Sequence, residues 1–158
     1  SKPIVGVPNL PNSLVDDHIA AIAVRGTPEI STAADPPARL KLAFSIVQNG
    51  RFLEFFGSNN PFLFPMERLQ TISPSLLSQL PPFFIFHGEQ DSAVPAEGSR
   101  EFISLIRAKA PHVATHLHIQ DGDHGFDVDA TLDTPWLQDG LVMISKAWLN
   151  SEPKRPHL

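Results

Sequence analysis

The chain has 158 residues, 42% of them apolar and 18% charged, a balance that excludes a disordered or fibrous polypeptide and leaves enough material for one sizeable core. Its formal charge of −5 is spread along the sequence and Lys and Arg total only 12, so there is no basic stripe for a nucleic-acid backbone. Cysteine is absent, which excludes disulfides, thiolate nucleophiles and sulfur-ligated zinc, and no apolar run has the length of a membrane span or the form of a signal peptide.

In chain order, Ile4-Val5-Gly6-Val7 ahead of Pro8 reads as a short buried strand stopped by a residue with no amide hydrogen. Asn12 and Ser13 suit the N-cap of a helix carrying Leu14, Val15, Ile19, Ile22 and Ala23, with Gly26 as its stop. A second helix is expected from Asp35 and Pro36 through Leu40, Phe44 and Val47 to Gly50. From Arg51 to Leu80 short helical pieces alternate with proline turns. Phe52, Phe55, Phe56, Phe62 and Phe64 crowd this stretch, either as the core of a small helical layer or as substrate-lining rings.

Phe83-Phe84-Ile85-Phe86 is a continuous apolar run, as expected of a strand covered on both faces in a parallel sheet. An amphipathic helix follows over Ala96 to Ala110, closed by Pro111, and then Ala114 to Ile119 alternates as a strand with His116 and His118 on one face. Two histidines on a half-exposed strand more often face solvent than hold a metal, and the acidic residues Asp121, Asp123, Asp127, Asp129 and Asp133 do not match a calcium loop. No metal or cofactor is expected. Pro135 to Leu149 makes a closing helix before a polar tail.

Two loops carry the chemistry, since in open parallel sheets functional groups gather beyond the carboxyl ends of strands. One, His87-Gly88-Glu89-Gln90-Asp91-Ser92-Ala93-Val94-Pro95, presents Asp91; the other, Gln120-Asp121-Gly122-Asp123-His124-Gly125-Phe126, presents His124 between two glycines. A carboxylate bonded to one imidazole nitrogen fixes the tautomer and stabilises the imidazolium formed when the other nitrogen takes a proton. Each residue also has a plainer reading, Asp91 as a turn-shaping residue and His124 as an exposed loop residue.

Pro82-Phe83-Phe84-Ile85-Phe86-His87-Gly88 with Asp91 and Val94-Pro95, followed by Asp123-His124-Gly125-Phe126, resembles the α/β-hydrolase family, in particular its esterase, dienelactone-hydrolase and prolyl-oligopeptidase-like members. The resemblance covers residues 72 to 150 and extends over 1 to 71 only by arrangement. It implies an α/β fold, the C-terminal part of a doubly wound, mostly parallel sheet, with residues 1–12 and 81–150 as hydrolase core, 13–80 as an inserted helical lid and 151–158 as a tail. It implies Asp91 as the triad acid and His124 as the general base; on a hydrolase reading Phe52, Phe55, Phe56, Phe62, Phe64 and Phe126 are expected to line an apolar acyl or aryl site.

The sequence departs from the family's pattern in one respect. The triad serine should stand upstream in a Gly-x-Ser-x-Gly elbow, and no such pentapeptide occurs; Gly57-Ser58 and Gly98-Ser99 are the nearest serine-glycine pairs, and neither follows a strand. The expectation is therefore the C-terminal part of a serine hydrolase of carboxyl esters, its nucleophile before Ser1, inactive alone and paired with its N-terminal part or with itself through a bare sheet edge. A truncated, non-catalytic module binding a partner chain or an apolar ligand is the rival reading. A cytoplasmic location is expected, with secretion as the alternative.

Overall fold

A computed structural model describes residues 3–25, 37–57 and 60–150, and these divide into two units, Ser1–Asn60 and Pro61–Leu158. Gly26, Asp35, Pro36, Ser58 and the tail 151–158 lie outside the described residues.

In the first unit, α1 (Ser13–Arg25) packs on α2 (Leu40–Gln48), and the short α3 (Phe52–Phe56) follows. Val15 of α1 and Ser45 of α2 are fully buried. The end of α2 is closed by a Schellman pair, the Gly50 amide donating to the Val47 carbonyl at 3.1 Å and the Arg51 amide to that of Ile46 at 2.9 Å.

The strand expected at Ile4-Val5-Gly6-Val7 is a tight turn instead. The Val7 amide donates to the Ile4 carbonyl at 2.9 Å, and both central residues are left-handed, Val5 at φ 52° and Gly6 at φ 69°. An extended segment needs a neighbouring strand for its amides and carbonyls, and here side chains of α2 serve that need. Gln48 accepts from the Leu10 amide at 2.8 Å and donates to the Val7 and Pro8 carbonyls at 3.2 and 3.3 Å. The Ser45 hydroxyl donates to the Pro11 carbonyl at 3.0 Å.

The second unit opens with a 3-10 turn at Pro61–Leu63, then α4 (Pro65–Thr71) and α5 (Pro74–Leu77). Next come β1 (Phe83–Gly88), α6 (Ala96–Lys109), β2 (Thr115–Gln120) and α7 (Pro135–Leu149), close to the boundaries that the apolar pattern predicts. The strands pair in parallel, Phe83 opposite Thr115 and Gly88 opposite Gln120, in a two-stranded sheet. The result is helices around a small parallel sheet, a β-α-β-α unit.

Strand alternation sends Phe83, Ile85 and His87 to one face and Phe84 and Phe86 to the other. On the first face α6 supplies Ile103 and Ile106, and a cluster of Leu69, Ile106, Ala110 and Val113 is joined by Leu77, Leu80, Phe83, Phe102 and Leu105. Leu69 and Leu77 bring α4 and α5 into that core, so these helices of the expected insertion pack with the sheet. On the second face α7 covers the strands at Gly140, where a Cβ would stand 2.1 Å from the Phe84 ring. Among the described residues no helix is long and apolar enough to cross a membrane.

Candidate active site

Both strands run parallel, so their carboxyl ends deliver the two loops to the same edge of the sheet. The pairing continues past the strands: the Glu89 amide donates to the Gln120 carbonyl at 2.7 Å and the Gln90 amide to that of Gly122 at 3.0 Å. Gly88 permits this approach, because a Cβ there would fall 2.6 Å from the Gly122 carbonyl oxygen. In return the Gly122 amide donates to the Gln90 side-chain oxygen at 2.7 Å.

Held this way, His124 places Nδ1 3.0 Å from Oδ2 of Asp91. The other carboxylate oxygen, Oδ1, accepts from the Ala93 and Val94 amides, each at 2.8 Å. Asp91 thus works in both directions at once, shaping its own turn with one oxygen and holding the imidazole with the other. Its side chain is 8% exposed, while that of His124 is 50% exposed. Burial pushes the Asp91 carboxyl up, but the Val94 amide, the His124 ring and the Ala93 amide outweigh it, and the group is held below the ordinary aspartate range.

Asp91 Oδ2 also has a second imidazole nearby, Nε2 of His87 at 3.3 Å. The same nitrogen lies 2.9 Å from the Val94 carbonyl, which can only accept, so Nε2 carries the proton. Nδ1 stands 2.8 Å from the Ser99 hydroxyl, the donor when the ring is neutral. Ser99, His87 and Asp91 therefore line up in space as a serine, histidine and aspartate, but the His87 ring is only 12% exposed, its proton is committed to a main-chain carbonyl, and Ser99 sits inside α6. The exposed imidazole is that of His124. His87 is an anchor of the Asp91 loop that sequence reasoning missed, and its only signal was its position in the His87-Gly88 pair that ends the strand.

Phe126, two residues beyond His124, meets a ring cluster on the α7 face of the sheet, 6.2 Å from Phe86 and 5.7 Å from Trp136. His118 stacks on Trp136 at 5.0 Å and His116 lies 5.4 Å from Phe84, so the two β2 histidines are half-buried parts of this aromatic face. Phe62 and Phe64 also belong to this unit, Phe62 exposed beneath the Arg68 guanidinium at 5.0 Å and Phe64 half-buried at the start of α4. Phe52, Phe55 and Phe56 belong to the first unit, where with Leu42, Ile46 and Val47 they line an apolar cavity of about 340 Å³. The structure brings Asp91, His124 and Phe126 into one loop cluster, while those three rings share a cavity of their own.

No described group of three or more histidines and carboxylates could hold a metal ion.

Comparison with known proteins finds two partial likenesses. The chain is 33% identical over 122 residues to the probable carboxylesterase M8 of Phoma sp., covering 75% of this chain and 36% of that protein. It is 31% identical over 83 residues to the esterase LipQ of Mycobacterium tuberculosis, covering 51% of this chain and 20% of that protein. No family model and no solved structure matches. The chain thus spans about a third or less of the curated relatives it matches, and its likeness is to proteins that bear esterase names.

Proposed function

We propose that these residues are the acid-base part of a serine hydrolase of carboxyl esters, of the α/β-hydrolase kind, whose nucleophile is carried outside residues 1–158. The observation that carries this reading is the bond between Asp91 Oδ2 and His124 Nδ1 on a ring that is half open to solvent. Nδ1 is the bonded nitrogen, so Nε2 is the one available to take a proton. In the reaction, Nε2 removes the serine hydroxyl proton as the oxygen attacks the ester carbonyl, and returns it to the departing alkoxide. A water then repeats the cycle on the acyl-enzyme. Asp91, kept ionised by its hydrogen bonds, fixes the tautomer and stabilises the imidazolium.

The β-α-β-α unit is read as the C-terminal part of a doubly wound, mostly parallel sheet with α4 and α5 packed into its core, and the helices that precede these as the lid insertion. Its partner is the serine-bearing segment of the same hydrolase. Within the second unit, Phe126 beside His124 and its ring contacts with Phe86 and Trp136 favour an apolar acyl or aryl group, because such aromatic surface is poorly wetted by water. The test is hydrolysis of p-nitrophenyl esters by the full-length protein. Asp91→Asn and His124→Ala are each expected to lower kcat by at least about a thousandfold. Turnover left intact in either variant defeats the assignment.

A further inference from the structure

We infer that Asp123 is a positioning residue of this site, a carboxylate that ties the Asp91 loop to the His124 loop without touching the reacting atoms; the inference rests on the acid-base reading above. One oxygen, Oδ1, accepts two main-chain amides that belong to different loops, that of Ser92 at 2.7 Å and that of His124 at 2.8 Å. Ser92 directly follows the triad acid, and the His124 amide belongs to the base itself. A single atom therefore bridges the backbone next to Asp91 and the backbone of His124, close to the 3.0 Å bond between their side chains.

The chemistry suits a carboxylate. Two short amide bonds to one ionised oxygen are charge-assisted and stronger than the same bonds to a neutral acceptor. The Ser92 bond crosses between the loops while the His124 bond lies within the loop of Asp123 itself, whereas Asp91 Oδ1 accepts from Ala93 and Val94 of its own turn. Gln90 supplies the opposite rung, its side-chain oxygen accepting from the Gly122 amide and its own amide donating to the Gly122 carbonyl. Beside the Asp91–His124 bond, the two loops are thus stitched reciprocally, each with a side chain that accepts a main-chain amide of the other. Because a displacement of about 1 Å in a catalytic group costs on the order of a hundredfold in rate, a clasp at this place acts on turnover through geometry and leaves the chemistry to others.

The experiment uses the full-length hydrolase with its histidines labelled in the ring, and reads two quantities: the low-field Nδ1 proton of His124 hydrogen-bonded to Asp91, and kcat and KM for an aryl ester. Asp123→Ala is expected to abolish the low-field line and to lower kcat by about tenfold to a hundredfold with KM within about threefold. Asp123→Asn keeps an acceptor oxygen and is expected to restore the line and most of the turnover, a rescue that a general loss of stability would not show. A line and a kcat that survive Asp123→Ala overturn the proposal. If Asp123→Ala does not fold, Asp123→Asn decides alone, since a folded Asn variant without the line overturns it equally. Failure of the underlying reading registers separately, as unchanged hydrolysis in His124→Ala.

Discussion

The Asp91 carboxylate is 8% exposed and the His124 ring that it holds is 50% exposed, so the pair spans the boundary between protein and solvent with the charge inside and the imidazole out. A buried carboxylate must be stabilised by hydrogen bonds or it protonates, and the Ala93 and Val94 amides together with the imidazole supply that stabilisation. An exposed imidazole, by contrast, can exchange its proton with whatever approaches it.

The first prediction concerns pH. Asp91 is held below its ordinary value, so its unfolded form binds a proton more readily than its folded form. Its contribution to stability is therefore fully present above the unfolded value of about 3.9 and is lost as pH falls through the lower folded value. The difference in unfolding free energy between the wild-type protein and Asp91→Asn should shrink as pH falls from about 5 to below about 4. Denaturant unfolding at a series of pH values measures it. A difference that grows over that acidic window would mean that the carboxylate is not stabilised in its charged form.

A second prediction concerns His87. The Val94 carbonyl at 2.9 Å requires a proton on Nε2, and the Ser99 hydroxyl at 2.8 Å then donates to Nδ1 of the neutral ring. The ring nitrogens of neutral His87 should show the Nε2–H tautomer in long-range proton-nitrogen correlation spectra. His87→Phe leaves the Val94 carbonyl without its ring N–H donor, while Asp91 Oδ2 keeps the His124 ring, and should cost about 1–3 kcal/mol in denaturant unfolding, whereas Ser99→Ala should cost about 1 kcal/mol. The Nδ1–H tautomer, or a His87→Phe variant as stable as the wild type, would contradict this account of the loop.

Most of the second unit was readable from the sequence because its signals are local. The apolar run of β1, the Pro95 and Pro111 that bracket α6 and the Pro135 that opens α7 act within a few residues, and the structure follows them closely. Asp91 and His124 were legible for a related reason: loops at the carboxyl ends of successive parallel strands must meet. The turn at Ile4 to Val7 was not, because a short apolar segment becomes a strand only where another strand receives it, and here Gln48, forty residues on, takes that place. Nor were the roles of Asp123 and His87. Side-chain bonds to main-chain groups of another loop depend on tertiary approach, and a polar residue beside a glycine carries the same local signature whether it clasps a neighbouring loop or faces water.

The last prediction tests how α7 sits on the sheet. Gly140 is buried in the middle of that helix, where glycine costs about 1 kcal/mol relative to alanine if nothing else intervenes. Here the ring of Phe84 intervenes: a Cβ on Gly140 would lie 2.1 Å from its Cζ and 2.3 Å from the flanking ring carbons, far inside contact distance. The ring packs among Phe86, His116 and Trp136 and cannot swing aside without disturbing them. Gly140→Ala should therefore destabilise the protein by about 1–3 kcal/mol despite its gain in helix propensity. Pairing it with Phe84→Leu, which removes the ring carbons nearest the new methyl, should recover part of that loss, giving a favourable coupling energy on the order of 1 kcal/mol in a double-mutant cycle. A Gly140→Ala variant more stable than the wild type would show that α7 rides higher above β1 than this packing allows, and strictly additive effects would separate Gly140 from Phe84 altogether.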